Sequence, residues 1–351
     1  MSPHRILAAA SVAVVLSLVG CASQPASEPT PRATGSTPSA EPSPTPTLRA
    51  DPVRPFGGDC ASVLTTPQLD ALVGAGAVPI EQKRLEWSAK SAEYAEVPAV
   101  GTLGGVECEW YAAEEAEGLP NGLDAIAVIL MPAASVPPAF LSAYDAPLCE
   151  PNYDTVNCRM TRVDGEIWAM ARAGWNLSEP PTELLSATID AALGNARDAW
   201  HAQRADRAAT WWALEDCAAL HESMSLEAAA GPYVDGWWEG SERPEMALLR
   251  SAGVEQFCPW YTDQDATALD APFYIGNTTI SPGAAWYWSA IISTAGMEPI
   301  SVEGAQDAVV ATSFAKVYAT DGVNVISVSA SEDAAVAADI AGRALAALAG
   351  G

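Results

Sequence analysis

Three patterns of apolar and polar positions succeed one another along the chain. After His4 and Arg5, an uncharged apolar run extends from Ile6 to Val19 and stops at Gly20-Cys21. The run is shorter than the ~20 residues that a membrane-crossing helix needs, and a basic start, a short apolar core and small residues before Cys21 read as an export signal. From Ala22 to Pro55 the apolar pattern disappears: nine Pro and ten Ser or Thr leave Leu48, Val53 and a few Ala as the only apolar side chains. Such a segment cannot bury enough surface to offset its chain entropy, which predicts an extended tether reaching roughly 100 Å at most. Beyond residue 55, stretches with helical spacing alternate with stretches of period two, the signature of a mixed α and β fold.

The third region repeats itself. Asp59-Cys60-Ala61 begins a segment that aligns without a gap on the one beginning Asp216-Cys217-Ala218, 157 residues on, and the two segments end at Gly74 and Gly231. Thr66, followed by Pro67, and Ser223 are the expected helix caps, and the two glycines the expected helix ends. Next come Gly105-Val106-Glu107-Cys108-Glu109-Trp110-Tyr111 and Gly253-Val254-Glu255-Gln256-Phe257-Cys258-Pro259-Trp260-Tyr261, each with a Cys two residues before Trp-Tyr on an expected first strand. Asp164-Gly165 and Asp321-Gly322 are hairpin signals. The alternating Ile167, Ala169, Ala171 follow one and Val323, Val325, Ser327 the other. Each copy closes on an amphipathic helix, Glu183 to Asp198 and Asp333 to Ala349. Four landmarks in one order predict an α+β protein of two tandem repeats, residues 56–200 and 201–351. Each should comprise an N-terminal helix, an antiparallel sheet and a C-terminal helix packed on the sheet.

The repeat selects a cysteine pairing. Setting Cys21 aside leaves Cys60, Cys108, Cys149, Cys158, Cys217 and Cys258. An even number in an exported chain reads as disulfides, with 15 connectivities allowed. Because helix-start and strand cysteines recur together, Cys60–Cys108 and Cys217–Cys258 are the economical bonds. Cys149–Cys158 then closes a small loop found only in the first copy. No Cys-x-x-Cys occurs, so the expected role is structural rather than redox.

Leu18-Val19-Gly20-Cys21 resembles the lipobox of bacterial lipoproteins, whose Cys is diacylated before residues 1–20 are removed as signal peptide. That resemblance implies a mature chain beginning at Cys21, with residues 21–55 as lipidated Cys and tether, held on the extracytoplasmic face of the cell membrane. Acyl chains contribute ~0.8 kcal/mol per buried CH₂, so two or three anchor a protein stably where one does not. Taken together, lipobox, tether and a Cys-helix-Gly…Cys-x-Trp pattern in each copy resemble actinobacterial cell-envelope lipoproteins of an uncharacterised family with PsbP-like domains. The resemblance implies a helix, an antiparallel sheet and a packed closing helix, and brings no catalytic residues.

Charge and motifs narrow the function. With 17 Lys plus Arg against 44 Asp plus Glu, the net charge is −27, which disfavours nucleic acid as a partner. Gly-x-Ser-x-Gly, His-Glu-x-x-His and phosphate-loop patterns are absent from the sequence. Beyond residue 20 there are only two His, His201 and His221, so a three-His zinc site cannot be built. His221 stands where the first copy has Leu64, which favours a structural role. Glu114, Glu115 and Glu117, and Asp263, Asp265 and Asp270, form acidic runs that fit solvated loops better than calcium sites. Trp211-Trp212, Trp237-Trp238 and Trp286-Tyr287-Trp288 crowd the second copy and its approach. Adjacent strand residues face opposite sides, so some of these rings should face away from the core. Trp237, Trp238, Trp286 and Trp288 are therefore the candidate binding residues. The expected function is a non-enzymatic binding or scaffolding module for an envelope glycan, lipid or protein, with no cofactor and no metal. The alternatives are a partner subunit of another membrane protein and an envelope hydrolase, the latter requiring two carboxylates facing each other across a cleft.

Overall fold

In the computed structural model the described residues are 51–112, 123–152, 155–175, 181–236, 242–262, 275–330 and 333–350. The fold is α+β and contains the repeat. The first copy runs α1 (Cys60–Val63), α2 (Thr66–Val73), β1 (Val78–Pro79), α3 (Ile80–Trp87), α4 (Ala99–Thr102), β2 (Val106–Tyr111), β3 (Leu123–Pro132), β4 (Leu148–Asn152), β5 (Thr155–Asp164), β6 (Ile167–Trp175) and α5 (Thr182–Arg197). The second runs α6 (Cys217–Ser223), α7 (Leu226–Ala230), β7 (Tyr233–Asp235), α8 (Pro244–Ser251), β8 (Gln256–Thr262), β9 (Ile275–Ser281), α9 (Trp288–Ser293), β10 (Met297–Pro299), β11 (Asp307–Ala311), β12 (Lys316–Thr320), β13 (Val325–Ser329) and α10 (Ala334–Ala349). The two sheets share one spatial order, β1-β2-β3-β6-β5-β4 and β7-β8-β9-β13-β12-β11, with β10 added at the far edge of the second. Every neighbouring pair is antiparallel. The first expected strand of each copy is thus the second, after a short edge strand.

Each sheet buries one face under its own helices. In the first copy Val106, Cys108, Trp110, Ile126, Val128 and Leu130 pack beneath α1, α2 and the stripe Leu185, Ile189 and Leu193 of α5. Burying such a Leu or Ile contributes about 1.5–3 kcal/mol. In the second, Cys258, Trp260, Ile280, Ile326 and Val328 pack beneath α6, α7 and the stripe Ile340, Ala344 and Leu345 of α10. Val325 belongs to the opposite face, so Ile326 and Val328, not the alternating Val323, Val325 and Ser327, carry the core side of β13.

The caps differ from expectation. Thr65 caps α2 because its backbone N–H donates to Gln68 Oε1 at 2.8 Å while its carbonyl accepts from Leu69 at 2.9 Å, which puts Pro67 second in the helix. Asp216 caps α6 by accepting from the Ala219 N–H at 2.9 Å, and Ser223 ends that helix rather than starting one. Ser225 then enters α7 with a left-handed backbone, φ +51°. All three disulfides form as the repeat selects, Cys60–Cys108, Cys149–Cys158 and Cys217–Cys258. Cys149 and Cys158 are direct cross-strand partners on β4 and β5.

The outer faces of the sheets are buried by exchange between the copies, and residues 51 onward belong to one compact unit. Leu248 and Leu249 of α8 share a cluster with Ile129, Met131, Trp168 and Met170 on the outer face of the first sheet. In return Ala95 and Val97, leading into α4, join Val309, Ala311, Tyr318 and Val325 on the outer face of the second. Tyr318 donates its hydroxyl to the Ala95 carbonyl at 2.7 Å. With both faces covered, β3 reads as the continuous apolar run Ala125 to Met131 instead of alternating. The folded body also starts before residue 56, since Val53 pairs with Gln203 and Pro55 is buried. Buried Asn324 ties the inter-repeat segment down, accepting from Trp212 N at 3.3 Å and Gly283 N at 3.0 Å and donating to the Thr210 carbonyl at 2.9 Å.

Candidate functional site

Trp286 and Trp288 do not lie on a strand. Residues 284–287 form a 3-10 turn that runs into α9, so the two-faced rule for adjacent strand residues does not govern them. Trp286 instead plugs the contact between the copies. Its indole N–H donates to Thr102 Oγ1 at 3.0 Å, and a Cβ on Gly101 would come within 2.9 Å of its ring. Arg54 lies over the same ring at 5.3 Å. Trp288 packs against the outer face of the second sheet and donates to Asp307 Oδ2 at 2.9 Å. Trp211 and Trp212 are both buried, one in the inter-repeat cluster and one in the second core. Trp237, Trp238, Cys21 and the two acidic runs lie outside the described residues.

Charged and aromatic groups from both copies converge instead in a cleft between the outer faces of the two sheets. Glu107 and Glu109 project from β2 on the side opposite Cys108, beside Arg172 of β6, which reaches Glu109 at 3.0 Å. From the second copy come Glu255, just ahead of β8, and Lys316 of β12. The segment between α3 and α4 supplies Tyr94 and Glu96, and Arg84 of α3 pairs with Glu96 at 2.9 Å while lying 4.7 Å above the Tyr94 ring. Lys316 places its ammonium against Tyr94 and Tyr318, 4.8 and 5.2 Å from their centroids. Glu245 of α8 closes another side, pairing with buried Arg159 at 3.1 Å. At the margin exposed Trp87 meets Tyr111 edge to face at 5.1 Å.

The charges in this cleft do not all cancel. Glu109, Glu96 and Glu245 each have an arginine partner, whereas the side chains of Glu107 and Glu255 form no hydrogen bond or ion pair among the described residues. Crowding by neighbouring protein atoms pushes the Glu107 carboxyl up to about 7, with Arg172 pulling against it, although the residue is exposed to solvent. Enclosure and then the charge of Glu107 push Glu255 up to about 8. Burial likewise holds the Lys316 ammonium below the ordinary lysine range, against the pull of Glu96 and Glu255. Groups that are surrounded yet reachable by water line a cleft, and ligand sites favour such places between repeats. Among the described residues no group of three or more His, Cys, Asp or Glu is arranged to hold a metal ion.

Sequence reasoning missed this pair, though its signal was present. Gly-Val-Glu occurs at 105–107 and again at 253–255, and both valines are buried while both glutamates face the cleft. What the sequence withholds is that the outer faces of the two sheets both turn toward the other copy, which brings Glu107 and Glu255 together although they differ by two positions in register against Cys108 and Cys258. His201 is exposed, whereas His221 is wholly buried and bonded through Nδ1 to Asp235.

Among the described residues no helix is long and apolar enough to cross a membrane. Compared with protein-family models, curated proteins and solved structures, the chain matches none.

Proposed function

We propose that the protein is a lipid-anchored, extracytoplasmic binding module of the cell envelope that holds its ligand in the cleft between its repeats and has no catalytic activity of its own. The lipobox-like Leu18-Val19-Gly20-Cys21 and the Pro-rich tether support the anchor, and three disulfides fit an oxidising compartment. The observation that carries the binding reading is the convergence of Glu107 and Glu255 without partners. Two neighbouring carboxyls that repel each other cost stability, and a ligand that donates hydrogen bonds or charge to both relieves that cost. An envelope glycan, lipid headgroup or protein segment could each supply such donors.

The test is native mass spectrometry of the chain exported and processed by its own host. The binding reading expects a mass beyond protein, acyl chains and three disulfides, lost in the double variant Glu107→Gln, Glu255→Gln. An identical adduct in that variant would place the ligand elsewhere. A clean mass in the parent, joined by co-purification of a stoichiometric protein, would shift the reading to a partner subunit.

One observation favours a second reading. Glu107 and Glu255 sit in unlike surroundings, one beside Arg172 and one facing Glu107, and their pKa values of about 7 and about 8 let one act as base while the other donates a proton. Unlike carboxyls of that kind are one requirement for an envelope glycan hydrolase using paired carboxylates, the other being their facing each other across a cleft. Release of reducing ends from envelope polysaccharide, abolished by Glu255→Gln, would establish it, and equal background release by both proteins would dismiss it.

A further inference from the structure

Two turns of one design lead into the strands beside the cleft. α4 and α8 are each followed by a glycine with a left-handed backbone, Gly104 at φ +78° and Gly253 at φ +73°. In each, the next N–H turns back onto the helix, from Gly105 to the Val100 carbonyl at 2.9 Å and from Val254 to the Leu249 carbonyl at 3.1 Å. That is the helix ending which such a glycine permits. Glu107 follows the first turn and Glu255 the second.

One stretch of chain between the repeats braces both turns. The Ala205 N–H donates to the Thr102 carbonyl at the end of α4 at 2.9 Å. A Cβ on Gly104 would come within 2.6 Å of the Gln203 carbonyl carbon, so the two backbones touch. At the other end Arg207 donates to the Gly253 carbonyl at 3.3 Å, and a Cβ on Gly253 would come within 2.5 Å of its Nη1. Residues 203–207 reach at most about 17 Å when extended, which limits how far the two turns can part. The brace is held in turn by the first described residues. Val53 and Gln203 exchange both backbone hydrogen bonds at 2.8 Å. Arg54 lies over Trp286 of the second copy at 5.3 Å, and Phe56 packs against the first core.

We propose that Val53 and Arg54 form a strap that closes on residues 203–207 and sets the spacing of Glu107 and Glu255, so that the cleft loosens when the strap lets go. The proposal rests on the cleft being the binding site and adds a control over it. An isolated bridge between exposed Val53 and exposed Gln203, with one cation over a ring, is a set of contacts that opens locally while both cores stay folded. The strap is also where the Pro-rich segment joins the folded body, so a pull on that segment reaches it before it reaches either core. Letting go moves Glu255 away from Glu107 and admits water to it. Enclosure and the Glu107 charge are what hold the Glu255 carboxyl up at about 8, with Glu96 adding to them and Lys316 opposing.

The test is the full exported chain carrying Val53→Pro and Arg54→Ala, which removes the N–H given to Gln203 and the cation over Trp286 while leaving buried Pro55 in place. NMR beside the parent reads two quantities, hydrogen exchange of the Gln203 amide and the titration midpoint of the Glu255 carboxyl carbon. Gln203 exchange is expected to rise at least about tenfold, and the Glu255 midpoint to fall by about one pH unit or more. Arg207→Ala, at an exposed position, releases the Gly253 turn alone and is expected to lower the same midpoint, which keeps the comparison open should the strap variant not fold. An unmoved Glu255 midpoint overturns the proposal, and so does a Gln203 amide that stays protected once the strap is cut. The binding reading is judged apart from this, by the adduct. An adduct indifferent to Glu107→Gln, Glu255→Gln refutes the cleft as the binding site and leaves the strap to stand or fall on its own titration.

Discussion

At four matched positions the two repeats make opposite choices. Leu64, Val106 and Val128 in one core answer to His221, Gln256 and Thr278 in the other, and Pro79, opposite Trp110, answers to Asp235, opposite Trp260. Yet the sheets keep the same strand order, the same helix-to-strand disulfide and the same closing helix. Topology, disulfide and helix stripe therefore suffice to hold this fold, and the patch under the first helix is free to change chemistry. Asp235 is what makes the polar version tolerable, because Pro79 has no side chain able to pair with an imidazole.

The shared frame predicts the largest effects. Removing Cys60–Cys108 or Cys217–Cys258 as a Cys→Ala pair should cost about 4 kcal/mol each by loop entropy, since their separations of 48 and 41 residues are nearly equal. Removing Cys149–Cys158, which closes 9 residues, should cost nearer 2.5–3 kcal/mol. Denaturant unfolding of the three variants checks the ranking. Equal losses in all three would show that strain or residual structure, rather than loop length, decides. Next comes import of the polar choice into the wrong repeat. Leu64→His places an imidazole in a fully buried site without an acceptor, for an expected loss of about 3 kcal/mol or more. A loss under about 1 kcal/mol would mean that this patch is as permissive as its counterpart.

Much of this frame was legible. The pairing of cysteines, the two Asp-Gly hairpins and both closing helices follow from repeated local signals, and each is a matter of short-range chemistry or of the 3.6-residue period. The exchange between repeats was not legible, because whether Ile129 and Met170 or Glu107 and Arg172 face protein or water is decided by α8 and the segment before α4, far away in sequence. Trp286-Tyr287-Trp288 misled for a related reason: tertiary packing against Gly101 and Thr102 holds a turn where aromatic content suggests a strand. His221 was placed opposite Leu64 by alignment alone, but its partner Asp235 lies on an edge strand that the sequence scarcely marks.

Intermediate effects should appear as pH dependence, with opposite signs in the two sites. Glu107 and Glu255 have folded pKa values of about 7 and about 8, above the ordinary carboxyl range, so the folded chain binds more protons than the unfolded one between roughly pH 4.5 and 8. Stability from these groups is present at low pH and lost as pH rises through that window. His221 is held below its ordinary value, so its contribution is present above about pH 6.5 and lost on acidification. Thermal unfolding against pH should therefore lose its alkaline decline in Glu107→Gln, Glu255→Gln, and part of its acid decline in His221→Leu, by a few degrees in each case. An alkaline limb that survives in the double glutamine variant would assign it to other groups and leave the cleft carboxyls uncoupled from folding.

The smallest expected effect is the most discriminating. At pH 7 His221→Leu removes a buried imidazole whose Nε2 has no partner, supplies a side chain of similar bulk, and returns half-exposed Asp235 to water. Loss of the Asp235 hydrogen bond and relief of the orphaned nitrogen nearly cancel, so stability should change by less than about 1 kcal/mol. Asp235→Ala, by contrast, strands Nδ1 as well and should cost about 1–3 kcal/mol. Unfolding both variants beside the parent separates two meanings of the polar patch. A near-neutral leucine beside a costly alanine marks a histidine that the second repeat can do without as structure. A leucine variant as damaged as the alanine one would make the His221–Asp235 pair a support of the second core, and the contrast between the repeats would then be one of architecture alone.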